Sequence, residues 1–98
     1  MNNWFVYILL CVGDKLYTGI AKDPQQRLVA HKNKHGAKYT RINKPLKIVY
    51  LEQCIDRSMA TKREIEIKKL TKINKLKLIK TNFLNSRLSS KIKVNKQD

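Results

Sequence analysis

The chain has 98 residues, 42% of them apolar, which is enough for one domain around one modest core. Twenty-two Lys and Arg face seven acids, a net charge of +15 that points to a polyanionic partner, since each neutralised phosphate releases condensed counterions. These features exclude a helical membrane span, for which no apolar run reaches the roughly 18 residues required, and a disulfide-built scaffold, since only Cys11 and Cys54 are present, far apart in apolar surroundings.

The opening Met1-Asn2-Asn3-Trp4 lacks the basic head and small-residue cleavage site of a signal peptide, so the expected location is the cytoplasm. Residues 4–12 form an unbroken apolar run, the pattern of a strand buried on both faces. Gly13-Asp14 signals a turn and residues 16–21 a second strand, giving an antiparallel hairpin. Asp23 can cap a helix whose first position suits Pro24 and which continues over 25–32. Residues 33–41, polar and containing Gly36, read as a loop. After Pro45, residues 46–53 read as a third strand holding Ile48, Val49, Tyr50 and Leu51.

Ser58 is the expected cap of a helix from Met59 to about Leu70. Thr71 is the expected cap of another over 72–80, with Ile73, Leu76 and Ile79 on one side. From Thr81 the apolar period weakens, and residues 82–98 read as a loosely ordered basic tail behind a domain spanning 1–81. The class is therefore α+β, a small sheet flanked by helices in the order β-β-α-β-α-α. Cys11 and Cys54 fall on strands and read as buried reduced thiols, and no C-x-x-C pair offers a zinc site.

Arg27 and His31 are four residues apart and share a helix face. Arginine offers a planar fork of donors to phosphate oxygens, and histidine moves a proton near neutral pH. The plainer alternative is an exposed arginine beside a surface histidine. Glu64 and Glu66 are the only carboxylates in the helices of the second half. A helical wheel puts Met59, Ala60, Ile67 and Leu70 on one apolar face, with the two glutamates on opposite flanks. Either can be merely solvated or can reach a cleft. One carboxylate is enough to hold Mg²⁺ when waters and substrate phosphate complete its shell.

Tyr7 and Tyr17 lie on the two hairpin strands, and register decides whether they meet. A two-residue turn pairs Leu10 with Tyr17 and sends the phenols to opposite faces. A three-residue loop over 13–15 pairs Cys11 with Tyr17 and puts Tyr7, Leu9, Cys11, Tyr17 and Gly19 on one face. The three-residue loop is the expectation, because it alone lets both hydroxyls line one site. Among the many lysines and arginines, Lys38, Arg41, Lys68 and Lys72 are the expected contacts to a nucleic-acid backbone, which bind without reading sequence.

Phe5-Val6-Tyr7 followed ten residues later by Tyr17-Thr18-Gly19 resembles the paired tripeptides of the GIY-YIG nuclease superfamily. Arg27, His31 and a later helical glutamate fit the same pattern. The run Gly36-Ala37-Lys38-Tyr39-Thr40-Arg41 and the Leu70-Thr71-Lys72 junction resemble the small stand-alone bacterial members, and the likeness spans about residues 3–80. It implies a three-stranded antiparallel sheet flanked by helices and a metal-dependent endonuclease. DNA is the implied substrate, with RNA as a second option, and the setting repair or recombination.

Carried over, Tyr17 takes part in activating water, Tyr7 positions water or phosphate, and Arg27 stabilises the pentavalent phosphate. Glu64, rather than Glu66, holds Mg²⁺ or Mn²⁺, and His31 makes a proton-transfer or phosphate contact. Phe5 stands in place of the first glycine, Thr18 in place of the central isoleucine, and Ile20 where repair-type members carry lysine. The alternative is a nucleic-acid-binding module of the same fold with little or no catalysis.

Overall fold

The chain folds around its first apolar run, as its two-sided hydrophobicity predicts. The computed structural model describes residues 3–33 and 38–82. Strand β1 (Trp4–Cys11) is the middle strand of a sheet ordered β2-β1-β3, with β2 (Lys15–Ala21) and β3 (Pro45–Cys54) both antiparallel to it. Helices α1 (Pro24–Lys32) and α2 (Lys38–Ile42) follow the hairpin, and α3 (Arg57–Lys68) follows β3. A last helix, α4, runs over 72–82. The order β-β-α-β-α-α holds, with the expected loop over 33–41 containing the short helix α2. Residues 34–37 lie outside the described residues, as does the expected tail over 82–98 except for Asn82, which is still helical. Among the described residues no helix is long and apolar enough to cross a membrane.

Alternation along β1 divides the core into two. Val6 and Ile8 point to one face and pack with Tyr50, Cys54, and Ala60 and Ile67 of α3; Leu78 and Ile79 of α4 close the edge. Tyr7, Leu9 and Cys11 point to the other face and pack with Ala21 and Leu28 of α1, flanked by Tyr17 and Ile48. Fully burying an aliphatic side chain of this kind stabilises the fold by about 1.5–3 kcal/mol. Cys11 and Cys54 are buried free thiols, and burial raises both pKa values, which keeps them inert.

The hairpin loop has three residues, but they are 12–14 rather than 13–15, so the expected pairing of Cys11 with Tyr17 is corrected. Tyr7 pairs with Gly19, Leu9 with Tyr17, and Cys11 with Lys15. Two causes are visible. Gly13 and Asp14 both take positive φ, 80° and 58°, so the turn is centred on them. Val12 leaves the β2 ladder and donates its N–H to the Lys44 carbonyl at 2.8 Å. The shift is two residues, an even number, so both phenols still share a face.

Helix starts follow cap chemistry. Asp23 accepts from Gln26 N–H at 3.1 Å, with Pro24 in the first turn. The start of α3 is capped by Asp56, not Ser58: its carboxylate accepts from Met59 N–H at 2.9 Å. Both residue types cap well, and the short connection from Cys54 brings the earlier one into place. Thr71 caps α4 as expected, its Oγ1 accepting from Asn74 N–H at 3.2 Å.

The inward stripe of α3 runs through Ala60, Arg63, Glu64 and Ile67, and Met59 is half exposed. On α4, Ile79 packs inward with Leu78, while Ile73 and Leu76 are exposed. Arg63 ties α3 to the sheet. Its Nε donates to Glu52 at 3.0 Å and its Nη1 to Glu66 at 3.0 Å, while the Tyr50 hydroxyl also donates to Glu52. Such partly exposed pairs each contribute at most about 1 kcal/mol, and only the Arg63–Glu52 contact crosses from α3 to β3, since Arg63–Glu66 lies within the helix.

Candidate active site

The site is built on the β1–β2 face that carries the two phenols. Tyr7, from the central strand, is 1% exposed. Its hydroxyl lies 3.1 Å from His31 Nε2, and His31 Nδ1 lies 2.7 Å from Thr40 Oγ1. His31 is fully buried, so the alternative of a surface histidine is replaced by a buried relay: Thr40 on α2, His31 on α1, Tyr7 on β1. A neutral imidazole has one donor and one acceptor nitrogen, so when Nδ1–H donates to Thr40, Nε2 accepts from the Tyr7 hydroxyl.

Tyr17, from the edge strand, is only partly buried. Its ring centroid is 5.3 Å from that of His31 and 6.5 Å from that of Tyr7, and its outer side stacks on Tyr39 of α2 at 5.8 Å. Gly19 lies where the phenols come closest to backbone. A Cβ there would meet Tyr7 Oη at 2.6 Å and Tyr17 Cε2 at 3.2 Å. That position needs glycine for space, not for its dihedral, because Gly13 is the one glycine with positive φ among the described residues.

Electrostatics divides the roles. Burial pushes the Tyr7 phenol up to about 12, and the neighbouring Tyr17 and Glu64 add to the rise, while Arg27 pulls it back. At Tyr7 burial outweighs the arginine, so the net shift is upward. His31 is lowered, first by burial and then by the Arg27 charge. Both groups are neutral at pH 7 and suited to passing protons. Arg27, one turn before His31, is exposed, and its guanidinium is close enough to the Tyr7 hydroxyl to hydrogen-bond it while keeping further donors toward solvent.

The two glutamates, equivalent by spacing, differ in the structure. The Glu64 side chain is 19% exposed on the inward stripe of α3, and its charge is felt at Tyr7; the Glu66 side chain is 66% exposed and is bound to Arg63. Glu64 Oε2 pairs with Lys68 Nζ at 3.2 Å. Lys68 thus spends its charge within α3, unlike the exposed Lys38 and Arg41 on α2 and Lys72 at the start of α4.

No group of three His, Cys, Asp or Glu able to hold a metal ion occurs among the described residues. A lone carboxylate fits a hard cation such as Mg²⁺ or Mn²⁺ that takes its remaining ligands from water and phosphate, and it does not fit a resident zinc or copper ion. Sequence reasoning missed Thr40 and Tyr39 as members of the site. Their only signal was membership of the run from Gly36 to Arg41, whose polarity reads as a loop.

A model of the GIY-YIG catalytic domain matches residues 3–77. A UPF0213 protein of Staphylococcus saprophyticus is 47% identical over 79 residues, covering 81% of this chain and 96% of that protein. One from Staphylococcus epidermidis is 49% identical with the same coverage. Among solved structures, the solution NMR structure of an E. faecalis protein has a TM-score of 0.56 at 36% identity, covering 86% of this chain and 90% of that one. That of a UPF0213 protein from Bacillus halodurans has a TM-score of 0.53 at 34% identity, covering 81% and 84%.

Proposed function

The chain belongs to the GIY-YIG catalytic-domain family, and from that premise we propose that it is a cytoplasmic, divalent-metal-dependent endonuclease hydrolysing DNA phosphodiester bonds in repair or recombination, directed by DNA structure rather than sequence. The observation that carries the reading is the meeting of Tyr7, Tyr17 and His31 on one face, with Arg27 at its rim and the Glu64 charge within reach of Tyr7. RNA is the second substrate option.

Water attacks phosphorus, and the bond to the leaving oxygen breaks as that oxygen takes up a proton from solvent. Tyr17, the more accessible phenol, orients the attacking water. Tyr7 takes up a proton from the reacting side as its own passes to Nε2 of neutral His31, whose Nδ1–H is held by Thr40. Arg27 donates to the non-bridging oxygens as negative charge grows on them, and removing a donor of this kind typically costs on the order of 10²–10³ in rate. Glu64 is the residue that would hold Mg²⁺ or Mn²⁺, which supplies charge neutralisation at phosphate and a lowered pKa for water. Lys38, Arg41 and Lys72, with Lys68 once released from Glu64, contact backbone phosphates.

The experiment is cleavage of branched, nicked and single-stranded DNA with Mg²⁺ or Mn²⁺ by the parent, Tyr17→Phe and Glu64→Ala. Cutting by the parent that both variants lose is the expected result. DNA binding without cutting in all three proteins would leave the second reading, a nucleic-acid-binding module of the same fold. That reading draws support from Ile20 in place of a lysine and from the Lys68 ammonium already seated on Glu64.

A further inference from the structure

Beside the catalytic face, a second concave surface opens past Arg27. A cavity of about 630 Å³ is lined by Trp4, Lys22, Asp23, Gln26, Arg27 and Arg57, with Ile20, Ala21 and Ala30 as its apolar floor. Its charge is one-sided. The Lys22 ammonium lies 5.6 Å from the Trp4 ring centroid and the Arg57 guanidinium 5.4 Å from it, so the indole gathers cations from β2's end and from the first turn of α3. Asp23 is the sole carboxylate in the lining, and its side chain is committed to the Gln26 N–H at the start of α1. Lys22, Arg27 and Arg57 make no ion pair with a carboxylate among the described residues, whereas Arg63 and Lys68 do.

Three cations against the single Asp23 carboxylate leave the concavity net positive, and an anion in the cavity relieves the remaining repulsion. Arg27 belongs to both surfaces, so an anion in the cavity is the immediate neighbour of a phosphate at the phenols. We propose that this cavity is the subsite for the backbone phosphate next to the scissile one, bound by Lys22 and Arg57 on a platform held by Trp4, with Arg27 shared between the two phosphates. This rests on the nuclease reading for what lies at the phenols, and it fixes the track of the strand: from Tyr17 past Arg27 to the Trp4 corner. The departure at Ile20, where a lysine is absent, is then offset two residues later by Lys22.

Trp4 is the single tryptophan of the chain, so its emission reports on this cavity alone. The full-length protein is titrated with a short abasic deoxyribose-phosphate oligomer, which offers phosphodiesters without bases. The expected result is a saturable change in Trp4 emission, and a salt dependence of binding whose log–log slope falls by about 0.7 in Lys22→Gln and again in Arg57→Gln, because each substitution removes one cation from a phosphate. Both side chains are exposed, so both variants keep the fold; their unfolding midpoints verify this. Unchanged slopes in both variants, or a silent Trp4, overturn the subsite. Inorganic pyrophosphate saturating the signal at lower phosphate concentration than the oligomer overturns it too, by making the site one for a small free anion. DNA cleavage by the parent, measured in parallel, separates the two readings. A parent that cuts nothing but shows the Trp4 response and the reduced slopes removes the nuclease and leaves the subsite. A parent that cuts DNA while both variants keep its slope removes the subsite and leaves the nuclease.

Discussion

A Cβ on Gly19 would fall 2.6 Å from the Tyr7 hydroxyl oxygen and 2.8 Å from the ring carbon that carries it. Tyr7 is buried and held by His31, so it has nowhere to retreat. Gly19→Ala is therefore expected to push the phenol off Nε2, at about 1–3 kcal/mol in stability, and to abolish cleavage. Thermal unfolding and a cleavage assay on the same preparation check this. A variant normal in both would mean that Tyr7 has room to move.

Alkaline stability follows from two buried phenols. Tyr7 and Tyr50 are both pushed up to about 12, chiefly by burial, from an ordinary value near 10. Between those values the unfolded chain has released the protons that the native state still binds. Stability is therefore complete below about pH 10 and falls as pH rises toward about 12. Tyr7→Phe should remove its share of that fall, on the order of 2 kcal/mol, leaving the share of Tyr50. Urea unfolding of parent and variant at about pH 9 and again at about pH 11 measures the difference.

On the acid side the sign reverses. His31 is lowered below its ordinary value of about 6.5, so the unfolded chain takes up a proton that the native state refuses. Its contribution is complete above that value and is lost as pH falls through it toward the lower native value. His31→Gln should flatten this part of the stability profile. An equally steep acid loss in the variant would place the effect elsewhere.

Thr18 is 4% exposed, and its hydroxyl has no hydrogen-bond partner among the described residues. Leaving such a group unpaired costs about 1–3 kcal/mol, so Thr18→Val should raise the unfolding free energy by about 1 kcal/mol. Alternation along β2 turns Thr18 away from Tyr17 and Gly19, so cleavage should be unchanged. A lower melting temperature would show that the hydroxyl is satisfied.

Lys68 occupies the carboxylate that the proposed metal would take. Their pairing at 3.2 Å is half exposed and lies within one helix, contributing about 0.3–0.5 kcal/mol. Lys68→Met should change stability little and should lower the Mg²⁺ concentration giving half-maximal cleavage, because the carboxylate no longer has to release an ammonium. A midpoint that stays put or rises would mean that Glu64 does not receive the metal, or that Lys68 assists it.

What the sequence makes legible is the pattern carried by periodicity. An unbroken apolar run marks the two-faced central strand, and an odd hairpin loop puts Tyr7 and Tyr17 on one face. The loop's position is harder to read, because it depends on Asp14 accepting a positive φ and on Val12 finding Lys44, a partner thirty-two residues away. The cap of α3 is ambiguous in sequence because Asp56 and Ser58 are both good caps. Met59 stands half outside the core because the inward stripe of α3 admits Arg63 and Glu64, whose long stems pack while their heads find ions. Thr40 is invisible: nothing local marks a threonine in a polar stretch as the partner of a histidine nine residues earlier.

Strand β1 buries one parity against α3 and α4 and presents the other to His31 and Tyr17. The larger core and the phenol–histidine cluster of the candidate site are thus opposite sides of a single ribbon, eight residues long. Loss of the phenol–histidine cluster by heat or denaturant should coincide with collapse of the whole domain, with no folded stage between that lacks it, and improvements to either side must be found without disturbing its reverse.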